Sequence, residues 1–211
     1  EGIFMFNFRT DLALERRDIY QKINKLREID GVEGTEEQIN DKIKVSRVRI
    51  TNQNGENAIG KPIGNYTTID VKGLKLATDE DIQKTAETLT NELKKMIDIH
   101  TDKQGEILIV GLGNIYVTPD SLGPKVINEI DVTRHIQKYL PQYLDEGTRV
   151  VSAISPGVLG TTGIETVEIL KGIVDNIKPS LLIVIDALAS RSIERISSTI
   201  QISDTGIVPG A

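Results

Sequence analysis

The chain contains no cysteine. That excludes disulfides, thiolate nucleophiles and cysteine-ligated metal sites, and it is compatible with a reducing interior. Histidine is scarce as well: His100 and His135 are the only two, and both read as helix-surface residues. Serine–histidine catalysis and a histidine-rich zinc site therefore have little to draw on. No apolar run approaches the roughly 18 residues of a membrane span. Residues 1–8 are too short, and lack the basic flank, for a signal peptide. There is no basic excess either. With 25 basic and 31 acidic residues the formal charge is −6, so a nucleic-acid backbone is disfavoured as the main partner. What these absences leave is a mildly acidic, soluble, intracellular protein, and 211 residues suffice for a substantial core.

The stretch 106–124, EILIVGLGNIYVTPDSLGP, organises the rest. Residues 107–110 are four consecutive apolar residues, which read as a parallel strand covered on both faces. Gly111-Leu112-Gly113-Asn114 then turns the backbone at the strand's carboxyl end, the edge where open α/β sheets bind ligands. Asp120 opens the helix that follows. A second apolar strand, residues 181–185, ends in the same way, in Asp186.

Around this centre, residues 44–50 (KVSRVRI) and 66–71 alternate as half-exposed strands do. Leu74 and Leu76 extend the second of these past Gly73. Together, residues 44–76 predict a small antiparallel subsidiary sheet, with turns at 51–64. Thr78-Asp79-Glu80-Asp81 is a helix start with a capping acid three residues on. Ile82, Ala86, Leu89, Leu93 and Met96 then define one apolar face. Residues 16–29 are a further candidate helix, and Gly31 to Thr35 breaks it. Phe4, Phe6 and Phe8 form an apolar arm. Residues 124–139 predict one helix, 149–154 a strand, 155–163 a glycine loop, 164–177 a helix ended by Pro179, and 199–202 a last strand. Strands alternating with helices imply a parallel sheet built from right-handed crossovers. The expected architecture is one α/β domain over residues 1–211: a mostly parallel sheet with helices on both faces over 78–211, plus the antiparallel segment. No closing helix follows Val208-Pro209-Gly210-Ala211, so a further element is expected beyond it.

Several motifs point elsewhere and fail. Gly111-Leu112-Gly113 invites a dinucleotide site, but Tyr116 replaces the third glycine and the acid about twenty positions on is Asp131, inside a predicted helix. Asp204-Thr205-Gly206 spells the pepsin-like triad, once, in an α/β chain; an Asx-type turn explains it better. Ser155, in Ile-Ser-Pro-Gly, is not a nucleophile elbow. Carboxylates remain. Asp120 and Asp186 are each open to a structural reading, as a helix-start residue or a cap. Placed together, two carboxyls share a proton, one ionised and one neutral. Such a pair can activate water and protonate a leaving amine, as amide hydrolysis requires. Asp120 is expected to be the ionised member because a helix start favours negative charge. Asn114 and Ser155 are candidates for hydrogen-bonding the substrate backbone.

Residues 9–15 (RTDLALE), 111–124 (GLGNIYVTPDSLGP), 155–166 (SPGVLGTTGIET), 185–191 (IDALASR) and 199–210 resemble, in order, the germination protease family of spore-forming Firmicutes. The resemblance implies a fold similar to the hydrogenase maturation endopeptidases, a phosphorylase/hydrolase-like α/β build. It implies an endopeptidase that degrades small acid-soluble spore proteins in the spore core. It further implies an autoprocessing zymogen cut just upstream of RTDLALE, with residues 1–8 a propeptide remnant, and a homotetramer. Its catalytic aspartates fall on Asp120 and Asp186, with no cofactor and no metal ligand assigned, although the activity has formally been classed with the metalloendopeptidases. Two rivals use the same fold. One is a metal-dependent maturation endopeptidase that takes these carboxylates as ligands, and the other is a non-catalytic peptide-binding module.

Overall fold

The structure, a computed structural model, describes residues 12–24, 28–101, 105–188 and 197–207. The chain divides into two compact units, one of Glu1–Met96 with Leu188–Gly206, the other of Ile97–Ala187 with Ile207–Ala211. The aromatic arm at Phe4, Phe6 and Phe8 lies outside the described residues.

The first unit is built on a four-stranded antiparallel sheet, β1 (Val32–Gln38), β2 (Ile43–Ile50), β3 (Gly64–Val71) and β7 (Thr199–Ser203), in that spatial order. The alternation read at 44–50 and 66–71 gives β2 and β3, paired from Ile43↔Val71 to Ile50↔Gly64. The sheet is covered on both faces. Val48, Ile50 and Tyr66 pack with Ala13 and Leu14 of helix α1 (Ala13–Asn24) and Ile59 of helix α2 (Gln53–Ile59). Ile43, Val45, Ile69 and Val71 pack with Leu89 of helix α3 (Asp79–His100) and with Ile200. The subsidiary sheet is therefore a full layer with its own cores, and β2 is not a half-exposed strand.

Helix α3 begins as its capping pattern requires. Thr78 N–H and Oγ1 donate to Asp81 Oδ2, and Asp81 N–H donates back to Thr78 Oγ1. Its buried face differs from the expected one: Thr85, Thr88 and Glu92 are buried, while Ile82 is exposed. Two facts account for this. Glu92 receives both Nε (2.9 Å) and Nη2 (2.7 Å) of Arg47 from β2, a bidentate pair. The threonine hydroxyls satisfy themselves on the helix, donating to the carbonyls of Asp81 and Lys84. Past Gly73 the chain makes a 3₁₀ turn at Leu74–Leu76, not more strand, and Leu76 is exposed.

The last strand, β7, was expected to continue the α/β alternation. It pairs antiparallel with β3 instead, from Tyr66↔Ser203 to Asp70↔Thr199. Thr199 Oγ1 donates to Asp70, and Gln201 Oε1 accepts from Ala13 N–H of α1. Asp204, the acid of the pepsin-like triplet, accepts from Asn65 N–H (2.7 Å) and Nδ2 (2.6 Å). Its carboxylate ties the end of β7 to the start of β3.

The second unit is a three-stranded parallel sheet with β4 (Ile107–Gly111) between β5 (Val151–Ile154) and β6 (Leu181–Ile185). Leu108, Val110 and Leu112 pack on one face against Leu170, Ile173 and Val174 of helix α7 (Thr166–Ile177). Helix α4 (Leu122–Ile127) lies against the other face, with Gly123 and Ile127 closing on Gly111. Pro124 sits in the first turn of α4, where its missing N–H needs no partner.

The helix expected over 124–139 is broken into α4 and α5 (Arg134–Tyr139). Thr133 supplies the reason. Its N–H donates to Val151 O, its hydroxyl donates to Arg149 O, and that hydroxyl accepts from Val151 N–H. These three bonds tie the segment to β5 and divert it from the helical path. The glycine loop after β5 contains one helical turn, α6 (Leu159–Thr162). Helix α7 ends at Lys178, which is left-handed at φ 53°, immediately before Pro179.

Candidate active site

Asn114, Asp120, Ser155 and Asp186 all follow the carboxyl ends of the parallel strands. The register of β4 and β6 sets Gly111 opposite Ile185. Leu112 N–H extends the pairing by donating to Ile185 O at 2.8 Å. Asp186 is the next residue on β6, half-buried, with Oδ1 accepting from Ala187 N–H at 2.7 Å. Ser155 leaves the end of β5 on the other side of β4, exposed, ahead of buried Pro156.

Asp120 reaches the same edge by a folded loop. After β4 the chain passes Gly113 at φ +113°. A Cβ there would lie 2.0 Å from Asp120 O and 2.9 Å from its Oδ1, so only glycine lets the Asp120 loop close. Asn114 N–H donates to Asp120 Oδ2 at 2.8 Å and to Asp120 O at 3.1 Å. Asn114 Oδ1 accepts from Tyr116 N–H, Val117 N–H donates to Asn114 O, and Asp120 N–H donates to Val117 O. Asp120 ends the 3₁₀ turn Thr118–Asp120, with Ser121 between it and the six-residue α4. Its direct polar contact is thus the Asn114 amide rather than the start of a long helix.

Gly123 completes the arrangement. Its Cα packs where a Cβ would lie 2.3 Å from Leu112 O and 2.7 Å from Ile185 O. The peptide three residues past Asp120 thereby rests on the ends of both strands, one residue short of Asp186. Asn114 spends its side-chain oxygen on Tyr116, which leaves the amide NH₂ as the group it offers outward.

Among the described residues, no three of His, Asp and Glu converge as a metal-holding group. His100 closes α3 and His135 lies in α5, both exposed as expected. Sequence reasoning did not single out residues 115–117. Ile115, Tyr116 and Val117 are all exposed, Tyr116 at 88 %. Three apolar residues inside an obligatory turn were the available signal.

A three-stranded parallel sheet with helices on both faces, joined in one chain to an antiparallel sheet, places the protein among α/β proteins. The chain belongs to the germination protease family, whose profile matches residues 10–211. It is 51 % identical over 210 residues to the germination protease of Caldanaerobacter subterraneus subsp. tengcongensis, covering 99 % of this chain and 62 % of that protein. It is 48 % identical over 207 residues to that of Clostridium perfringens, covering 98 % and 63 %, and 44 % identical over 209 residues to that of Bacillus cereus, covering 98 % and 56 %. The chain thus spans about three fifths of the length of the relatives it matches.

Proposed function

We propose that this chain carries the catalytic α/β unit of an endopeptidase that degrades small acid-soluble spore proteins during germination. The observation that supports this reading is the arrival of Asp120 and Asp186 at one sheet edge, from neighbouring strands, in a chain of the germination protease family. Asp120 acts as base: it takes a proton from a water as that water's oxygen attacks the scissile carbonyl carbon. Asp186 acts as acid and gives its proton to the departing nitrogen as the C–N bond breaks. The products are a carboxylic acid and an amine, and the proton on Asp120 passes to Asp186 to reset the pair. The base role is assigned to Asp120 and the acid role to Asp186; each carboxyl accepts a backbone N–H, from Asn114 and Ala187 respectively.

In this reading the Asn114 amide and the Ser155 hydroxyl hold the substrate backbone, and no cofactor takes part. The enzyme works in the spore core as a homotetramer. It is made as a zymogen that cuts itself ahead of residues 9–15, of which 9–11 lie outside the described residues. The test uses the full-length protein with Asp120→Asn and Asp186→Asn, assayed on a purified small acid-soluble spore protein. Each variant should lose at least about 10²-fold in kcat with an unchanged circular dichroism spectrum. A near-normal rate in either refutes the pair, and loss of wild-type activity to a chelator would transfer the role of these carboxylates to metal ligation.

A further inference from the structure

Asn54-Gly55 is the only Asn-Gly step in the chain, and it lies inside helix α2, at its second and third residues. An asparagine followed by glycine is the pair most open to spontaneous loss of the side-chain amide, because no Cβ on the second residue obstructs ring closure. The fold requires this glycine. Gly55 is buried, and a Cβ on it would lie 2.3 Å from Gly31 O. That oxygen also accepts from Thr51 N–H at 2.9 Å, so α2 is packed directly on the turn that leads into β1. The close approach that demands Gly55 thereby creates the labile step, while Asn54 itself is exposed to solvent.

Three features hold the step unreactive. Ring closure needs the Gly55 nitrogen, stripped of its proton, to reach Asn54 Cγ, and the α-helical backbone at Asn54 keeps the two apart. The Gly55 N–H is engaged, donating to Asn52 Oδ1 at 2.9 Å. The leaving amide is engaged as well: Asn54 Nδ2 donates to Asp30 Oδ2 at 2.6 Å. This hold is local. Helix α2 has seven residues, too few to be stable alone, and its first turn opens when the Asn52 cap lets go.

We propose that Asn54 is a covalent modification site, kept latent by the capped first turn of α2 and converted when that turn opens. In the open state the Gly55 nitrogen gives its proton to solvent base and attacks Asn54 Cγ. The Cγ–Nδ2 bond breaks, ammonia leaves carrying a proton from solvent, and a succinimide remains. Water then opens the ring at one of its two carbonyls, which leaves aspartate or isoaspartate at position 54. Neither product suits the closed turn. Aspartate sets a carboxylate oxygen where the amide met Asp30, so two like charges replace a hydrogen bond. Isoaspartate inserts an extra methylene into the helix backbone. The change runs one way, and it loosens α2 against the core that it joins through Ile59.

The test incubates the full-length protein at mildly alkaline pH and follows every asparagine by peptide mapping with mass spectrometry. In guanidinium-unfolded protein Asn54 should convert ahead of all the others. In folded protein its conversion should be at least about tenfold slower, the protection that a closed turn gives. Asn52→Ala, which removes the cap, should raise the folded-state rate about fivefold. Equal rates in folded and unfolded protein, another asparagine converting first in guanidinium, or an Asn52→Ala rate equal to wild type would each overturn the proposal. A second measurement decides even where Asn52→Ala fails to fold. Asn54→Asp copies one product; it should lower the melting temperature, and should cost clearly less once Asp30→Ala has removed the facing carboxylate. An equal cost in both backgrounds refutes the Asp30 contact as what the modification breaks.

Discussion

Replacing Gly113 with alanine tests whether the Asp120 loop is held by contact at that glycine. A Cβ at Gly113 would stand 2.0 Å from Asp120 O, against the roughly 3.5 Å of a comfortable contact. The Asp120 peptide must therefore retreat by about 1.5 Å. That movement strains both bonds from Asn114 N–H, since they end on Asp120 Oδ2 and O. The backbone at φ +113° adds its own penalty for a residue with a side chain. Strain of about 1–3 kcal/mol plus a similar overpacking cost sums to about 2–6 kcal/mol. Gly73→Ala is the control: φ is +69° and nothing lies within 4 Å, so it carries a backbone cost alone. Urea titrations should show Gly113→Ala to be the more destabilised variant. The displaced carboxyl should also cost on the order of 10²-fold in peptide hydrolysis, while Gly73→Ala stays near wild type. Gly113→Ala matching the control in both stability and rate would refute the claim that this close approach positions Asp120.

Two other predictions concern the frame. Arg47 beside Glu92 holds the Glu92 carboxyl down to about 2 from an ordinary 4.5, through hydrogen bonds that outweigh the burial. A depressed folded-state value means that this stabilisation is present above pH 4.5 and lost as pH falls through about 2. Glu92→Gln should cost about 3 kcal/mol at pH 7 and flatten the pH dependence of stability between pH 5 and 2; acid titration of the melting temperature checks it, and an unchanged profile would contradict the pairing. Thr133→Val removes a hydroxyl that donates to Arg149 O and accepts from Val151 N–H. It should cost about 1–3 kcal/mol by orphaning those backbone groups, with faster amide hydrogen exchange at Val151, and protection equal to wild type would argue against the tie.

How much of this was legible in the sequence depends on where each element takes its stability. The β4 and β6 runs, the alternation of β2 and β3 and the cap of α3 declare themselves because local pattern and tertiary role agree. Strand β1 (VEGTEEQ) has no apolar alternation and is largely exposed; it is held by backbone pairing with β2 and by ion pairs of Glu33, Glu36 and Glu37 with Arg49, Lys44 and Arg47. Helix α2 hides in an Asn- and Gly-rich stretch because it is set by the Asn52 side chain accepting from Gly55 N–H, with Gly60 left-handed at its end. Helix α3 was placed correctly but its buried face was not, because Arg47, forty-five residues earlier, draws the Glu92 side inward. At the candidate site, Asp120 and Asp186 were singled out through the glycines and short side chains that follow two apolar strands. The apolar loop at 115–117 went unread because exposure cannot be seen in a chain of letters.

The pairing of β7 with β3 bears on how the polypeptide matures as it is made. The residues of the parallel layer, 97–187, form an unbroken stretch, so they leave the ribosome as a set able to collapse at once. The antiparallel layer, although begun earlier, lacks its fourth strand until Thr199–Ser203 has been synthesised. Its β3 edge stays uncovered for more than a hundred residues of translation, with main-chain donors and acceptors open to intruding strands. The portion made first is therefore the portion finished last.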